Sequence, residues 1–185
     1  MDNEIFDWTP RPRFHLDDEL RYKIPAGLLE ETVHVLQDYG NRNPPCEGIC
    51  FWAGTRSSTL IAVRAVIATK ADAHPRRISV EHKERFKAVR FINSVGLVQI
   101  AQVHSHPGDW IDHSVGDDLG ATGRVAGGLS IVVPSYGAQH VGSLTETGIH
   151  IFDGSEFHRI ADPYIRRHFE LTTESDFIFK DFRNE

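Results

Sequence analysis

Apolar residues recur along this chain with two different periods, and the switches between those periods lay out its elements. From Pro25 to Gly40 the positions Leu28, Leu29, Val33, Leu36 and Tyr39 share one helical face, with proline opening the helix and glycine suited to closing it. After the polar turn Asn41 to Pro45, the segment Glu47 to Gly54 reads as a buried strand. Thr59 to Thr69 reads as another, rich in β-branched residues. Ala71 to Arg77 reads as a polar loop. Ser79 is then expected to cap a second helix that buries Phe86, Val89, Ile92 and Val95. Leu97 to His104 is a strand again, and a Pro-Gly loop leads to Ser114, placed to cap a third helix through about Val125. Leu129 to Val133 has the length of a strand, and Asp153-Gly154 between two apolar runs marks a hairpin. The last 25 residues mix aromatic and charged positions and read as a helix or a docked tail.

Helices and strands therefore interleave, with strands concentrated in the middle and end. The expected fold class is α/β in the broad sense (α+β): a mixed β-sheet sandwiched by helices, in one domain. Residues 1–24, polar and carrying two prolines, are expected to form an N-terminal arm. Residues 25–160 form the domain, and 161–185 a C-terminal tail or helix.

Composition narrows the function classes. At 185 residues the chain can bury a sizeable core without disulfides or structural metal. A formal charge of −6, with Lys and Arg scattered, argues against nucleic acid as a partner. No G-x-G-x-x-G follows a strand and no Walker sequence occurs, which argues against nucleotide chemistry. No apolar run is long enough to span a bilayer, and the acidic start Met1-Asp2-Asn3-Glu4 does not read as a signal peptide. The two cysteines, Cys46 and Cys50, lie four apart on one extended segment, a poor geometry for a disulfide. They are expected to be free thiols in a reducing compartment, the cytoplasm.

The chemistry concentrates in Val103 to Asp118, "VHSHPGDWIDHSVGDD". His104 and His106 are one residue apart at a strand end, so their imidazoles point the same way. Pro107-Gly108 turns the chain, and Asp117 in the first turn of the following helix can bring a carboxylate back to the same point. Two histidines and a carboxylate leave one tetrahedral position of a zinc ion free, the arrangement of a catalytic rather than a structural site. Each piece has a plainer reading. An H-x-H pair arises readily among eleven histidines, and Ser114 with Asp117 is an ordinary helix cap. Their order within fourteen residues is what singles them out. His113 could face the same site, although a loop histidine is more often solvated. Trp110 and Ile111 could meet a protein substrate or plug the loop onto the core. His34, His74, His82, His140 and His150 read as surface or half-buried residues.

His104-Ser105-His106-Pro107, seven residues from His106 to Ser114, and two more to Asp117 resemble the JAMM motif of the MPN-type (JAB-domain) zinc metalloproteases. That family carries a glutamate in a segment E-x-x-G-x-L-x-G. "EGICFWAG" keeps Glu47 and Gly54 and departs from it at Cys50 and Trp52. Glu30 and Glu31 on the preceding helix are rival glutamates. The resemblance covers about residues 25–160 and implies an MPN/JAB-like fold. It implies that one catalytic zinc ion is held by His104, His106 and Asp117. Glu47 would be the general base, and Ser114 would hold a water or the oxyanion. The implied activity is peptidase or isopeptidase action at the C-terminus of ubiquitin or a ubiquitin-like protein, in a bacterial setting that includes antiviral pathways. The resemblance leaves two alternatives open: a peptidase for a sulfur-carrier protein or small peptide, and a non-catalytic MPN scaffold.

Overall fold

The computed structural model describes residues 19–121, 124–139 and 141–185. In chain order the elements are β1 (Arg21–Pro25), α1 (Ala26–Gly40), β2 (Ile49–Arg56), β3 (Leu60–Ala68), β4 (Asp72–His74), β5 (Arg77–Ser79) and α2 (His82–Ser94). They continue with β6 (Val98–Ser105), α3 (Val115–Gly120), β7 (Leu129–Val133), β8 (Gly148–Phe152), β9 (Phe157–Arg159), α4 (Asp162–His168), β10 (Phe169–Thr172) and β11 (Ile178–Asp181). Among the described residues nine strands make one mixed sheet, in the order β10-β1-β3-β2-β6-β7-β8-β9, with β11 pairing parallel to β3 beyond the end of β1. Strands β4 and β5 form a separate hairpin. The fold is α+β and single-domain.

Alternation along the central strands gives the sheet two apolar faces. Cys50 and Trp52 of β2 pack with Leu28, Leu36 and Tyr39 of α1. Ile49, Phe51 and Ala53 pack with Ala88 and Ile92 of α2. Both faces of the middle strands are therefore covered, which is why β2 and β3 read as nearly unbroken apolar runs rather than alternating ones. The register shifts where Ala53 and Gly54 pair with Ala65 and Val63, leaving Arg64 as the extra residue of a β-bulge. A Cβ at Gly54 would lie 2.0 Å from the Ala62 carbonyl oxygen, so the bulge requires glycine there.

Several sequence expectations are corrected. Of the proposed arm, residues 1–18 lie outside the described residues. Arg21 to Ile24 belong to β1, held between β10 and β3 with Tyr22 and Ile24 in the core. Residues 161–185, expected as a tail or helix, form the helix α4 and then two strands not expected there, because Phe169–Thr172 and Ile178–Asp181 satisfy the edges of β1 and β3. Ala71 to Arg77 is not a loop: it contributes to the β4–β5 hairpin. Ser79 ends β5, and Glu81 takes the N-cap position of α2 without a side-chain capping bond. Helix α2 buries Glu84, Ala88 and Ile92, while Phe86 is 62% exposed and Val89 and Val95 face outward with it. Small Ala88 lets the helix sit close to the sheet, and Lys87 Nζ covers the Glu84 carboxylate at 3.1 and 3.2 Å. Helix α3 stops at Gly120, well short of Val125.

Candidate metal centre

His104 lies on the same sheet face as its Cα partners Ile49 and Val132, the face covered by α2. One residue past Ser105 the strand ends, but His106 N–H still donates to the Val133 carbonyl at 2.9 Å. That bond carries the β6–β7 pairing far enough to bring the second imidazole back to the first. The two Nε2 atoms lie 3.2 Å apart, and the residues are 1% and 4% exposed. Asp117 closes the group. Its Oδ1 is 3.4 Å from His104 Nε2, and its Oδ2 is 3.3 Å from His106 Nε2. A tetrahedral ion with arms of about 2.0–2.1 Å separates its ligands by about 3.3 Å, so each of these separations is close to a ligand–ligand spacing, with the two histidines meeting different oxygens of Asp117.

The electrostatics agree with a cation at this point. Burial works against the ionised Asp117 carboxylate, yet contacts with both histidines hold its pKa well below the ordinary range. Burial also works against His106 protonation, and Asp117 together with the Trp110 carbonyl outweighs it, so that pKa is raised. His106 Nδ1 is 3.0 Å from that carbonyl, which fixes Nδ1–H as the donor and turns the Nε2 lone pair to the cluster. Trp110 stacks on the same imidazole, 5.1 Å between ring centres, so its ring serves the loop even though it is partly exposed. His104 Nδ1 is buried without a partner. The donor set, its spacing and its charge fit a divalent metal ion.

Ser114 caps α3 reciprocally with Asp117. Its hydroxyl and backbone N–H reach Asp117 Oδ2 at 2.8 and 2.7 Å, and Asp117 N–H donates to Ser114 Oγ at 3.1 Å. The cap therefore fixes the helix start and the carboxylate together. Glu47 sits just before β2, 5% exposed, with its N–H on the His74 carbonyl at 2.9 Å. Burial pushes its carboxyl up to about 7. The Asp117 charge adds to this, and His106 and Arg76 oppose it. It thus shares the electrostatic field of the cluster without being one of the three donors. The rival residues Glu30 and Glu31 lie on α1, which packs on the other face of the sheet.

Behind the cluster the structure buries two histidines that the sequence reading placed elsewhere: His113, weighed as facing the site or solvated, and His150. His113 is buried, between Asp118 Oδ1 at 2.8 Å and Ser130 Oγ at 2.9 Å, and stacks on His150 at 3.8 Å between ring centres. His150 is also buried, and is neither surface nor half-buried as expected. His140 lies outside the described residues. These contacts become visible only through the register that pairs Ser130 with His150 across β7 and β8. The loop between His106 and Ser114 lies so close to β8 that a Cβ on Gly148 would be 1.7 Å from the Ile111 carbonyl oxygen. Arg159 Nη1 donates to that oxygen at 3.2 Å and to Asp112 Oδ1 at 2.8 Å. Cys46 and Cys50 are both buried free thiols.

No family model matches the chain. The "Probable metalloprotease y4jG" of Sinorhizobium fredii is 30% identical over 126 residues, which span 65% of this chain and 75% of that protein. The chain belongs to that protein's family. In fold it is similar to the solution structure of protein DSY2949 from Desulfitobacterium hafniense. The TM-score is 0.62 with 17% identity, over 83% of this chain and 94% of that one, a likeness of fold alone. No helix among the described residues is long and apolar enough to cross a membrane.

Proposed function

We propose that this chain is a zinc metallopeptidase of the JAMM type. The observation that carries the reading is the set of 3.2–3.4 Å separations among His104, His106 and Asp117, with the buried Glu47 carboxyl in their electrostatic field. The name of the Sinorhizobium relative supports metalloprotease chemistry. The choice of zinc rests on two imidazole nitrogens and one carboxylate oxygen, a donor set that zinc favours. When bound there, zinc supplies Lewis acidity toward water and the scissile carbonyl.

The remaining work falls to this chain's own groups. With its pKa near 7, Glu47 is matched to take a proton from water at neutral pH and return it to the leaving amine. Ser114 keeps Asp117 oriented through the reciprocal cap, and we assign its hydroxyl, which here donates to Asp117 Oδ2, to hold a water or the developing oxyanion. The substrate we assign is the C-terminal tail of ubiquitin or a ubiquitin-like protein. This rests on the resemblance of the His104–Asp117 segment to the JAMM motif.

Metal analysis and hydrolysis together test the reading. Purified protein should hold about one equivalent of zinc and cleave a ubiquitin-like tail fused to a reporter. Glu47→Gln should keep the zinc and lose at least about 100-fold in kcat. His106→Ala should lose both metal and activity. A wild-type protein that binds no zinc, or an active Glu47→Gln variant, overturns the mechanism. Zinc-dependent cleavage of short peptides but not of the fused tail overturns only the substrate.

A further inference from the structure

Beside the candidate metal centre, and on the same face of the sheet, a pocket opens between the β4–β5 hairpin, α2 and α3. Ile49 and Val80 line its apolar side. Gln102 and Arg85 supply polar groups, and His104 and Asp117 form the wall shared with the metal cluster. Arg85 is the one cationic residue among the lining groups. Its guanidinium is held in place by carbonyls rather than neutralised: Nε donates to Val80 O at 2.9 Å and Nη2 lies 3.5 Å from Gly120 O. Among the described residues no carboxylate forms an ion pair with it. The acid that shares the pocket, Asp117, is committed to His104, His106 and Ser114.

A cation fixed by neutral carbonyls in a partly enclosed wall keeps its charge and much of its donor capacity for a ligand. A guanidinium with free N–H groups pairs best with a carboxylate, which can accept two parallel hydrogen bonds. We infer that Arg85 is a specificity-determining residue, and that the pocket takes a carboxylate carried by the substrate next to the scissile bond. The carboxylate is either an acidic side chain or a free chain terminus. The inference rests on the hydrolase reading for its place in catalysis, but binding can be measured without turnover.

The test uses zinc-loaded Glu47→Gln protein and short peptides that differ at one group. Glutamate is compared with glutamine, and a free C-terminus with its amide, by calorimetry; wild-type kcat/KM on the same peptides is measured in parallel. One of the acid forms should bind and react about tenfold better than its amide counterpart, and which of the two pairs shows the difference identifies the source. Arg85→Gln should bring the acid-to-amide ratio close to one, and Arg85→Lys should restore part of it. Zinc content and melting temperature of each variant separate loss of charge from a shifted α3. Equal binding of acid and amide peptides, or a preference that survives Arg85→Gln, overturns the proposal. Absence of turnover both of these peptides and of the fused ubiquitin-like tail, with the binding preference intact, overturns the hydrolase reading and leaves the carboxylate site standing.

Discussion

Ser105 and Gly48 exchange two hydrogen bonds: Ser105 N–H donates to the Gly48 carbonyl at 3.0 Å, and Gly48 N–H donates to Ser105 Oγ at 2.9 Å. The residue between the two histidines thus clamps the residue next to Glu47. A side chain pointing away from the His–Asp cluster ties that cluster to the segment that carries Glu47. Ser105→Ala leaves the buried Gly48 N–H without its acceptor, a loss of about 1–3 kcal/mol. Its effect on chemistry should be larger than its effect on metal. Zinc stoichiometry should hold, because His106 is pinned independently to Val133, while kcat falls about tenfold as Glu47 loosens. Thermal melts, metal analysis and kinetics on the same variant check this; loss of zinc together with activity would contradict it.

Glu47 should cost the metal-free protein stability in the range where it is most useful. Its folded pKa of about 7 exceeds the ordinary value of 4.5, so the native state holds this proton more tightly than the unfolded chain does. The associated stability is complete below about pH 4.5 and is lost as pH rises through 7. Glu47→Gln, with no charge to bury, should therefore melt higher than wild type at pH 8 in chelator, and the difference should vanish near pH 4.5. Identical melting shifts at both pH values would remove the case for burial of the charged form.

His150 works in the opposite direction. Burial first, then the neighbouring His113, hold its pKa down at about 3, against the ordinary 6.5, and the Asp112 carboxylate 3.6 Å away offsets only part of this. The unfolded chain binds a proton below about pH 6.5 that the native state refuses until about pH 3. Stability should fall as the solution is acidified across that window. His150→Phe keeps a ring to stack on His113 and should flatten the fall, as read by denaturant unfolding between pH 4 and 7.

The candidate metal cluster was legible because it is local: a strand end, a turn and a helix cap place His104, His106 and Asp117 within one short segment. Glu47 was legible only through the motif it resembles, since its nearness depends on β2 pairing with β6. Three features could not be read locally. The phase of α2 depended on how close the helix approaches the sheet, so Ala88 outcompeted Phe86 for the interior. The burial of His113 and His150 depended on the β7–β8 register. The strands β1, β10 and β11 pair parallel to partners distant in sequence, a contact that leaves no local pattern.

The near-contact of Gly148 with Ile111 turns the stretch between His106 and Ser114 into a ruler. The seven residues of that loop cross the edge of β8 with no slack on the sheet side, where even one methyl group would collide, and Arg159 fastens the crossing from outside. The spacing from His106 to Ser114 is therefore set by the width of that crossing. One residue more would have to bulge toward solvent or carry Ser114 forward, and with it the helix start from which Asp117 aims at the two histidines.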